Sequence, residues 1–473
     1  MVLEAGSPTG HPWYVVWWDS PDDPENPYNW QTWKKVLNCG AISAMTFITP
    51  LGYLSSAVFA AGAPSAMLEF YSHSLTIASF VVSIYGRVVV YHFCNIGFVA
   101  FAIGSAVAPT LNGLIVIRFC SGASGCAAVT NGGGSITDMV AQEHRGKALA
   151  AYSIGPLLGP IIGPVAGGFI TDAAGWRWNF WLLAIAGSVL AILMGFVLSE
   201  TYAPVVLKQK DARLRRQTGN PLLRSKLDSG RTPQDHFKRS IIRPTKMLFR
   251  SPIVAIASVY VAISYGYLYL MFTTIPTVFQ ETYGFTTGTA GLAYLGLGIG
   301  SIVEIAYTSI TSDKVIRRNA AGVARNRNHE SRFDIHCNIE PEHRLLTLPI
   351  GSILIPLSLF VYGWMAEYKI HWIVAVISHV PIGIGNMVIF MCIQMYLVDG
   401  FTVYAASAIA TNTVVRSIAG ALLPMAGLPL FENLGLGWGN SLLGFIAIGT
   451  IPISLAIMRW GEYLRRRFEI PNL

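Results

Sequence analysis

Residues 153–170 read SIGPLLGPIIGPVAGGFI, and this stretch decides the fold. Glycine recurs in it at four-residue steps, followed three times by proline, within an otherwise apolar run. A step of four places the glycines on nearly one helix face, where a neighbouring helix can approach backbone to backbone. Each proline removes a helical donor and bends the segment, and such breaks survive in lipid only beside protein or a water-filled cavity. The run therefore predicts a bent, tightly packed membrane helix beside a pathway. This packing motif comprises Gly155, Pro156, Gly159, Pro160, Gly163, Pro164, Gly167 and Gly168.

The composition of the whole chain agrees with a membrane protein. Of its 473 residues, 53% are hydrophobic and only 12% are charged, unlike a soluble domain. The apolar residues fall into blocks of about 20, the length that crosses about 30 Å of hydrocarbon. We therefore expect an all-α membrane protein with eleven full spans. The spans lie at about 36–58, 88–108, 111–131, 147–170, 179–198, 253–276, 288–311, 346–363, 372–397, 403–428 and 438–460.

A basic loop divides these spans into two groups. Residues 199–252 contain thirteen Lys and Arg residues against four acids, a net charge of +9 that exceeds the +8 of the whole chain. Basic loops remain cytoplasmic. Nucleic-acid binding is the rival reading, but the loop lies between hydrophobic spans and lacks interleaved aromatic residues. The expected organisation is a cytoplasmic segment 1–35, a first bundle 36–198, the loop 199–252, a second bundle 253–460 and a cytoplasmic tail 461–473.

Two helical halves joined by a basic loop are typical of transporters with a substrate site between the halves. At this point the chain resembles the major facilitator superfamily and, more narrowly, the fungal drug:proton antiporter family with its polyamine and multidrug exporters. The matching motifs are WDSPDDPENPYNW (18–30), RFCSGASGCAAVTNGGGSITDMVAQEHRGKA (118–148), the glycine-proline run, GWRWNFW (175–181), ETYAPVVLKQKDARLR (200–215), YLVDGFTVYAASAIATNTVVRS (396–417) and LGLGWGNSLLGFIA (434–447). The resemblance implies twelve helices, a central cavity that opens alternately to each side, and export driven by protons moving inward.

The chain departs from the family pattern at the second helix. The family places roughly twenty more residues between Tyr85 and Gly86, including the acidic part of its cytoplasmic gate motif. The apolar stub 75–85 covers about 16 Å, roughly half of the hydrocarbon. A missing exon explains this gap economically. We expect the stub to form a short packed helix or to merge into the helix at 88–108, with Gly86 as the weak point.

The missing residues of the second helix include part of the cytoplasmic gate that the resemblance implies. In the first half only Gly86 and Arg87 of the motif remain, and Arg87 has no acid at the expected spacing. The counterpart in the second half is largely retained. The predicted gate residues are Arg87, Asp313, Lys314 and Arg317. The polar stretch 321–339 resembles a second insertion scar.

Charged residues inside the predicted spans are costly in lipid and therefore tend to be functional. Arg118 matches the family arginine that couples proton movement; bonding to helix carbonyls is the structural alternative. Glu304 stands where the family usually has an apolar residue. It is a candidate cavity acid for a proton or a cationic substrate; the alternative is a protonated side chain bonded to a neighbouring helix. Arg416 is either functional or extends to the cytoplasmic rim.

Other polar residues in the spans favour structural interpretations. Asp138 and Asp399 are expected to cap helices at the span ends. His379 is expected to be a satisfied core residue. Aromatic residues of the sixth full span either form a binding wall or pack between helices. They are Tyr260, Tyr265, Tyr267, Tyr269 and Phe272.

The sequence contains no catalytic constellation, no nucleotide fingerprint and no metal-ligand spacing among its six cysteines, so we expect no enzyme activity and no cofactor. The predicted function is proton-coupled export of a hydrophobic or amphipathic small molecule: a drug, a toxin, a secondary metabolite or a polyamine. The alternative is a degenerate or mis-spliced member that no longer transports. The expected partners are the small-molecule substrate, protons and the lipid bilayer, without nucleic acid. We expect a monomer in the plasma membrane, with the vacuolar membrane as the alternative.

Overall fold

The computed structural model describes residues 2–5, 13–20, 22–54, 86–140, 142–220, 223–227, 233–308, 341–401 and 405–467. Three sequence predictions lie outside the described residues. They are the stub 75–85, the insertion scar 321–339 and the gate residues Asp313, Lys314 and Arg317.

The described part of the chain is mostly helical, as the hydropathy pattern predicts. In chain order the elements are β1 (Val2–Ala5), β2 (Trp13–Val16), α1 (Thr32–Leu54), α2 (Arg87–Val107), α3 (Leu111–Met139), α4 (Gln142–Ala174), α5 (Arg177–Val197), α6 (Ala203–Thr218), β3 (Leu223–Ser225), α7 (Pro233–Arg250), α8 (Pro252–Tyr283), α9 (Thr287–Thr308), α10 (Leu348–Glu367), α11 (Trp372–Gly400) and α12 (Ala405–Arg467). A helix lies at each of the eleven predicted spans.

Seven helical segments of the described chain are long and apolar enough to cross a membrane: α2, α5, α8, α9, α10, α11 and most of α12. The last of these covers two predicted spans, because Gly435 has φ 75° and ψ 170° and breaks α12 between them. The helices α1, α3 and α4 occupy the other three predicted spans. Glycine, serine and threonine make α3 less apolar, and α4 begins with the polar run QEHRGK.

The chain divides into two compact units. Unit 1 contains the described residues within 1–53, 72–159 and 177–241, and unit 2 contains those within 160–176 and 242–473. In unit 1, α2 packs against both α3 and α5, and its buried residues include Tyr91 and Phe98. In unit 2, α12 packs against α8 and α10, and α11 packs against α10. The buried apolar residues of this unit form one cluster, whose first member along the chain is Met247 and whose last is Ile457.

The glycine-proline run is helical throughout, within α4. In unit 1, an ideal Cβ on Gly155 would lie 2.5 Å from the carbonyl oxygen of Ser43 in α1. In unit 2, a Cβ on Gly168 would lie 2.7 Å from the carbonyl oxygen of Thr287 in α9. The predicted close backbone approach therefore occurs at both ends of the run. The two glycines do not share one face, because thirteen helical residues separate their directions by about 220°.

Close backbone contacts also hold α11 between two neighbours in unit 2. Gly300 of α9 faces the carbonyl oxygen of Val380, and Gly383 faces that of Leu297. On the α10 side, a Cβ on Gly351 would lie 2.9 Å from the carbonyl oxygen of Gly385. Glycine contacts of this kind permit the dense packing that substitutes for hydrophobic driving force within lipid.

The segments outside the apolar helices of unit 1 form a small sheet that the sequence did not predict. Strand β2 pairs antiparallel with β1 and parallel with β3, with Val16 opposite Val2 on one side and Ser225 on the other. Next to the sheet, the polar segment at 18–30 docks on α6. The Lys210 ammonium contacts Asp19 at 2.9 Å and Asp23 at 3.0 Å, and Arg213 contacts Glu25 at 2.9 Å. The N-terminal segment and the basic loop thus fold together.

Asp23 and Lys210 are the buried members of this docking contact. Burial alone raises the pKa of Asp23, but the N–H groups of Asp19 and Glu25 and the Lys210 ammonium hold that pKa below its usual value. Burial lowers the pKa of Lys210, and hydrogen bonds to Asp19 and Asp23 outweigh it, so the pKa is raised above its usual value. Both shifts indicate that the charged forms stabilise the docked segment.

We predict that Gly155→Ala destabilises the protein, because its new Cβ would press on the Ser43 carbonyl. The expected loss is about 1–3 kcal/mol, measured by thermal unfolding of the purified protein. Gly195→Ala in α5 is the matched control, since a Cβ there meets open space. It should be neutral or stabilising by about 0.5–1 kcal/mol. Equal melting temperatures for the two variants would contradict the close packing of α4 on α1.

We further predict that docking of the N-terminal segment depends on pH. The contribution of Asp23 is complete above its unfolded pKa of about 3.9 and is lost as pH falls through its lower folded value. The contribution of Lys210 is complete below about pH 10.4 and is lost as pH rises through its higher folded value. Limited proteolysis should therefore find residues 13–30 protected at pH 7 and cleaved faster near pH 3.

The matched pair of variants for this test is Asp23→Asn and Asp22→Asn, because Asp23 is 3% exposed and Asp22 is exposed. Asp23→Asn should weaken docking at pH 7 by about 1–3 kcal/mol, and Asp22→Asn should leave it unchanged. Equal cleavage rates in the two variants would show that the Lys210 contact does not hold the segment.

Candidate functional site

Arg87 lies at the first turn of α2 and contacts two other segments of unit 1, α3 and the linker between α5 and α6. Its guanidinium Nη2 contacts Asp138 Oδ2 at 2.9 Å, and Nη1 donates to the backbone carbonyl of Asn131 at 3.1 Å. The ring of Tyr202 lies 5.6 Å from the guanidinium carbon. Gly134 leaves room for the guanidinium, because a Cβ there would overlap Nη1. The ion pair is mostly buried, with 12% of the Arg87 side chain exposed.

Glu200, in the linker that follows α5, completes this cluster. Its Oε1 accepts from the backbone N–H of Arg87 at 3.1 Å, and its Oε2 accepts from that of Val88 at 3.2 Å. Oε1 also accepts from the N–H groups of Thr201 and Tyr202. A carboxylate in this place satisfies donors that a helix N-terminus leaves free and complements the positive end of the helix dipole.

The structure adds to the sequence interpretation of this region. Arg87 has no acid at the spacing of the family motif, but α3 and the segment after α5 supply acidic neighbours. Asp138 lies in the last turn of α3 and pairs with Arg87; its expected capping role stays a prediction. Gly86 has φ 92° and precedes α2, so no helix continues back through it. The pair was missed because its members come from distant parts of the chain.

Arg118 is placed in α3, as predicted for the proton-coupling residue. Its guanidinium carbon lies 4.8 Å from the ring centre of Phe180 in α5. A guanidinium over an aromatic face is stabilised by the ring quadrupole. The family assignment of Arg118 as the coupling residue stays a prediction.

Glu304 is placed in α9, in unit 2, with only 2% of its surface exposed. Its Oε1 accepts a hydrogen bond from Thr308, and Oε2 has no partner among the described residues. The carboxyl lies near enough to Cys392 of α11 to interact electrostatically, and Thr347 contacts the Cys392 sulfur at 3.1 Å. The structure thus puts Glu304 between packed helices; its predicted role as a cavity acid stays a prediction.

His379 is a core residue, as the sequence suggests, but the described residues do not satisfy its ring nitrogens. It is 1% exposed, and neither ring nitrogen has a hydrogen-bond partner in the described part of the chain. The rings of Tyr362 and Phe279 lie 4.4 and 6.4 Å from it, centre to centre. Asp399 lies in the last turn of α11 and accepts from Arg344 at 3.0 Å; its expected capping role stays a prediction.

The aromatic residues of α8 have different environments. Tyr260 and Tyr267 are buried packing residues, bonded to Ser352 at 2.5 Å and to the carbonyl of Leu443 at 3.3 Å. Phe272 is also buried, whereas Tyr265 and Tyr269 are half-buried.

The described residues contain no group of three or more His, Cys, Asp or Glu side chains that could hold a metal ion. Both units instead hold arginines and acids within or at the ends of their helices, some of them in ion pairs. Such groups can bind protons or substrate charges and can pair differently in different conformations.

Comparison with known proteins gives a consistent family. The sequence pattern of the Major Facilitator Superfamily matches residues 36–424. The chain is 49% identical over 474 residues to the "MFS-type transporter tndD" of Aspergillus flavipes, a match that covers 96% of this chain and 86% of the relative. It is 41% identical over 476 residues to the "Efflux pump radE" of Floropilus chiversii, covering 96% of this chain and 86% of that pump.

Among solved structures, the xylose transporter XylE from E. coli in a partially occluded inward open conformation is similar, with a TM-score of 0.60. The match covers 90% of this chain and 97% of XylE at 14% identity. At this identity the likeness concerns the fold alone.

We predict that Arg87 and Asp138 are energetically coupled. Arg87→Gln and Asp138→Asn should each lower the free energy of unfolding by about 1.5–3 kcal/mol, because each leaves the remaining charged side chain buried without its ion-pair partner. The double variant should lose less than the sum, by at least about 0.5 kcal/mol in a double-mutant cycle on thermal unfolding. Arg213 and Glu25 form the control pair, since 63% of the Arg213 side chain is exposed and their coupling should stay below about 1 kcal/mol. Additive losses of stability in the Arg87 and Asp138 variants would show that the two side chains are not coupled.

Proposed function

This chain belongs to the major facilitator superfamily, and we propose that it exports a hydrophobic or amphipathic small molecule by alternating access, driven by protons moving inward. The family makes it a multi-pass membrane transporter of a small-molecule substrate rather than an enzyme. The proposal adds the direction, the proton coupling and the substrate class. Export is favoured because one relative of similar length is named an efflux pump.

The proposal of proton coupling rests on Arg118. It is a charged residue inside the membrane helix α3, held beside the ring of Phe180. A guanidinium keeps its charge at any working pH and cannot carry the proton itself. It can stabilise the ionised form of a nearby acid, and so favour release of that acid's proton in one conformation.

Glu304 is the acid that we propose as a proton-binding group of the second half. A lone carboxylate within hydrocarbon is costly, and Oε2 of Glu304 lacks a partner among the described residues. We therefore propose that Glu304 carries a proton in this packing. Movement of α9 relative to α11 would expose the carboxyl and let the proton leave.

The Arg87 cluster supports a working gate over a degenerate transporter. We propose that the pair with Asp138 and the bonds from Glu200 act in place of the missing first-half motif as a cytoplasmic latch. Asp313, Lys314 and Arg317 would form the second-half counterpart. In this scheme the loop 199–252 is cytoplasmic and separates the bundles 36–198 and 253–460. We place a monomer in the plasma membrane.

The gap between Tyr85 and Gly86 decides between the exporter and its non-transporting alternative. The genomic DNA and transcript across these two codons should contain an in-frame exon that ends in an acidic residue before Gly86. Uninterrupted coding sequence would favour a chain that does not transport in the family manner.

We predict that Arg118→Ala in the restored full-length protein abolishes proton-driven export. The neutral side chain cannot stabilise an ionised coupling acid. Efflux of a fluorescent amphipathic dye from energised cells measures the effect, at equal protein level in the membrane. Arg216→Gln, an exposed change in the basic loop, is the control that should leave efflux intact. Undiminished efflux in Arg118→Ala would exclude the coupling role.

A further inference from the structure

Arg416 lies near the middle of the predicted span 403–428. It belongs to the first half of α12 and stands about 16 Å along the helix axis from Ala405. A helix that entered the hydrocarbon near Ala405 would place Arg416 at a depth near the midplane of a layer about 30 Å thick.

Two aromatic rings hold the guanidinium at this depth. The guanidinium carbon lies 4.9 Å from the ring centre of Tyr265 in α8 and 4.9 Å from that of Phe390 in α11. The buried Nε of Arg416 has no acceptor among the described residues. Within this part of the chain no carboxylate pairs with the guanidinium. An intramembrane arginine would ordinarily have such a partner.

Further polar groups lie on the same helix faces. Asn412 stands one helical turn before Arg416, and its side-chain amide donates to Gln394 Oε1 at 3.4 Å. Gln394 stands one turn after Phe390 in α11. Asn412 is completely buried, yet its Oδ1 has no donor in the described chain. The Arg416 site therefore contains a second buried polar atom that has no hydrogen-bond partner among the described residues.

The aromatic side of the site is half-buried and closely packed. The Tyr265 hydroxyl donates to that of Tyr269 at 3.3 Å, and the two rings lie 4.8 Å apart. Gly420, one turn after Arg416, accommodates them, because a Cβ there would lie 3.2 Å from the Tyr265 ring. Helices α8, α11 and α12 of unit 2 thus meet around one cation, two hydroxyls, two amides and flat apolar surfaces.

The chemistry of this arrangement selects an anion. Ring faces stabilise the guanidinium without using its N–H donors, which lie in its plane and match the two oxygens of a carboxylate. A cation such as a polyamine would be repelled. Resting on the proposed export function, we propose that Arg416 binds the carboxylate of the exported compound, and that Tyr265, Tyr269 and Phe390 contact its aromatic or flat apolar body.

The test measures binding to the purified chain in lipid nanodiscs, with three fluorescent probes of one shape and different charge. They are 9-anthracenecarboxylate, the neutral 9-anthracenecarboxamide and the cationic 9-(aminomethyl)anthracene. The carboxylate should bind at least about tenfold more tightly than the amide, since a hydrogen-bonded charge is worth a factor of about 10 to 100. The cationic probe should bind most weakly.

Arg416→Gln should remove the preference for the carboxylate while retaining binding of the amide, which shows that the variant is folded. Arg416→Lys should retain part of the preference, because it keeps the charge but loses the planar fork. Arg459→Gln, an exposed change in the second half of α12, controls for loss of one positive charge and should behave as the wild type.

Two results would overturn the proposal: a carboxylate preference that persists in Arg416→Gln, or tighter binding of the cationic probe by the wild type. If Arg416→Gln binds none of the probes, Tyr265→Phe provides the second reading. This variant should keep the preference for the carboxylate while it binds all three probes more weakly. A loss of affinity for the carboxylate probe alone would contradict the assignment to Arg416. The measurement needs no proton gradient, so failure of proton-driven export would leave it intact.

Discussion

The cost of placing a charge within hydrocarbon shapes both units of this protein. Each membrane arginine with a described environment is stabilised by its neighbours in a different way. Arg87 takes a carboxylate from another helix, Arg118 lies over one ring, and Arg416 lies between two. Aromatic faces stabilise a cation less strongly than a carboxylate does, but they leave its N–H donors available. Arg416, which lies between two rings, is therefore suited to bind a group that comes and goes.

Close helix packing makes these placements rigid. In unit 2, glycine contacts bring α11 against both α9 and α10. Phe390, Cys392 and His379 all belong to α11, so their neighbours are determined by backbone positions rather than by flexible side chains. Buried groups without partners among the described residues, such as Glu304 Oε2 and the ring nitrogens of His379, are then kept from other polar groups only as long as this packing persists.

Hydropathy predicted the positions of the helices well, because a span must be apolar over a fixed length whatever surrounds it. The face on which Gly155 and Gly168 meet their neighbours was not predictable, since it depends on which helix lies on each side. Arg118 and Glu304 could be singled out as costly charges. The partners of Arg87 could not, because Asp138 and Glu200 are far away in sequence and no local spacing connects them. The small sheet was missed because its three-residue and four-residue strands have no distinctive pattern.

Glu200 has a consequence for the time course of biosynthesis. Its carboxylate caps α2 across 113 residues of chain. A ribosome adds about 5–20 residues per second, so the start of α2 must wait roughly 6–20 s for this cap. During that interval its free N–H groups need another acceptor: water, lipid head groups or a chaperone. Unit 1 can therefore close only after α5 has been inserted, and the nascent first half is a late-maturing substrate for the insertion machinery.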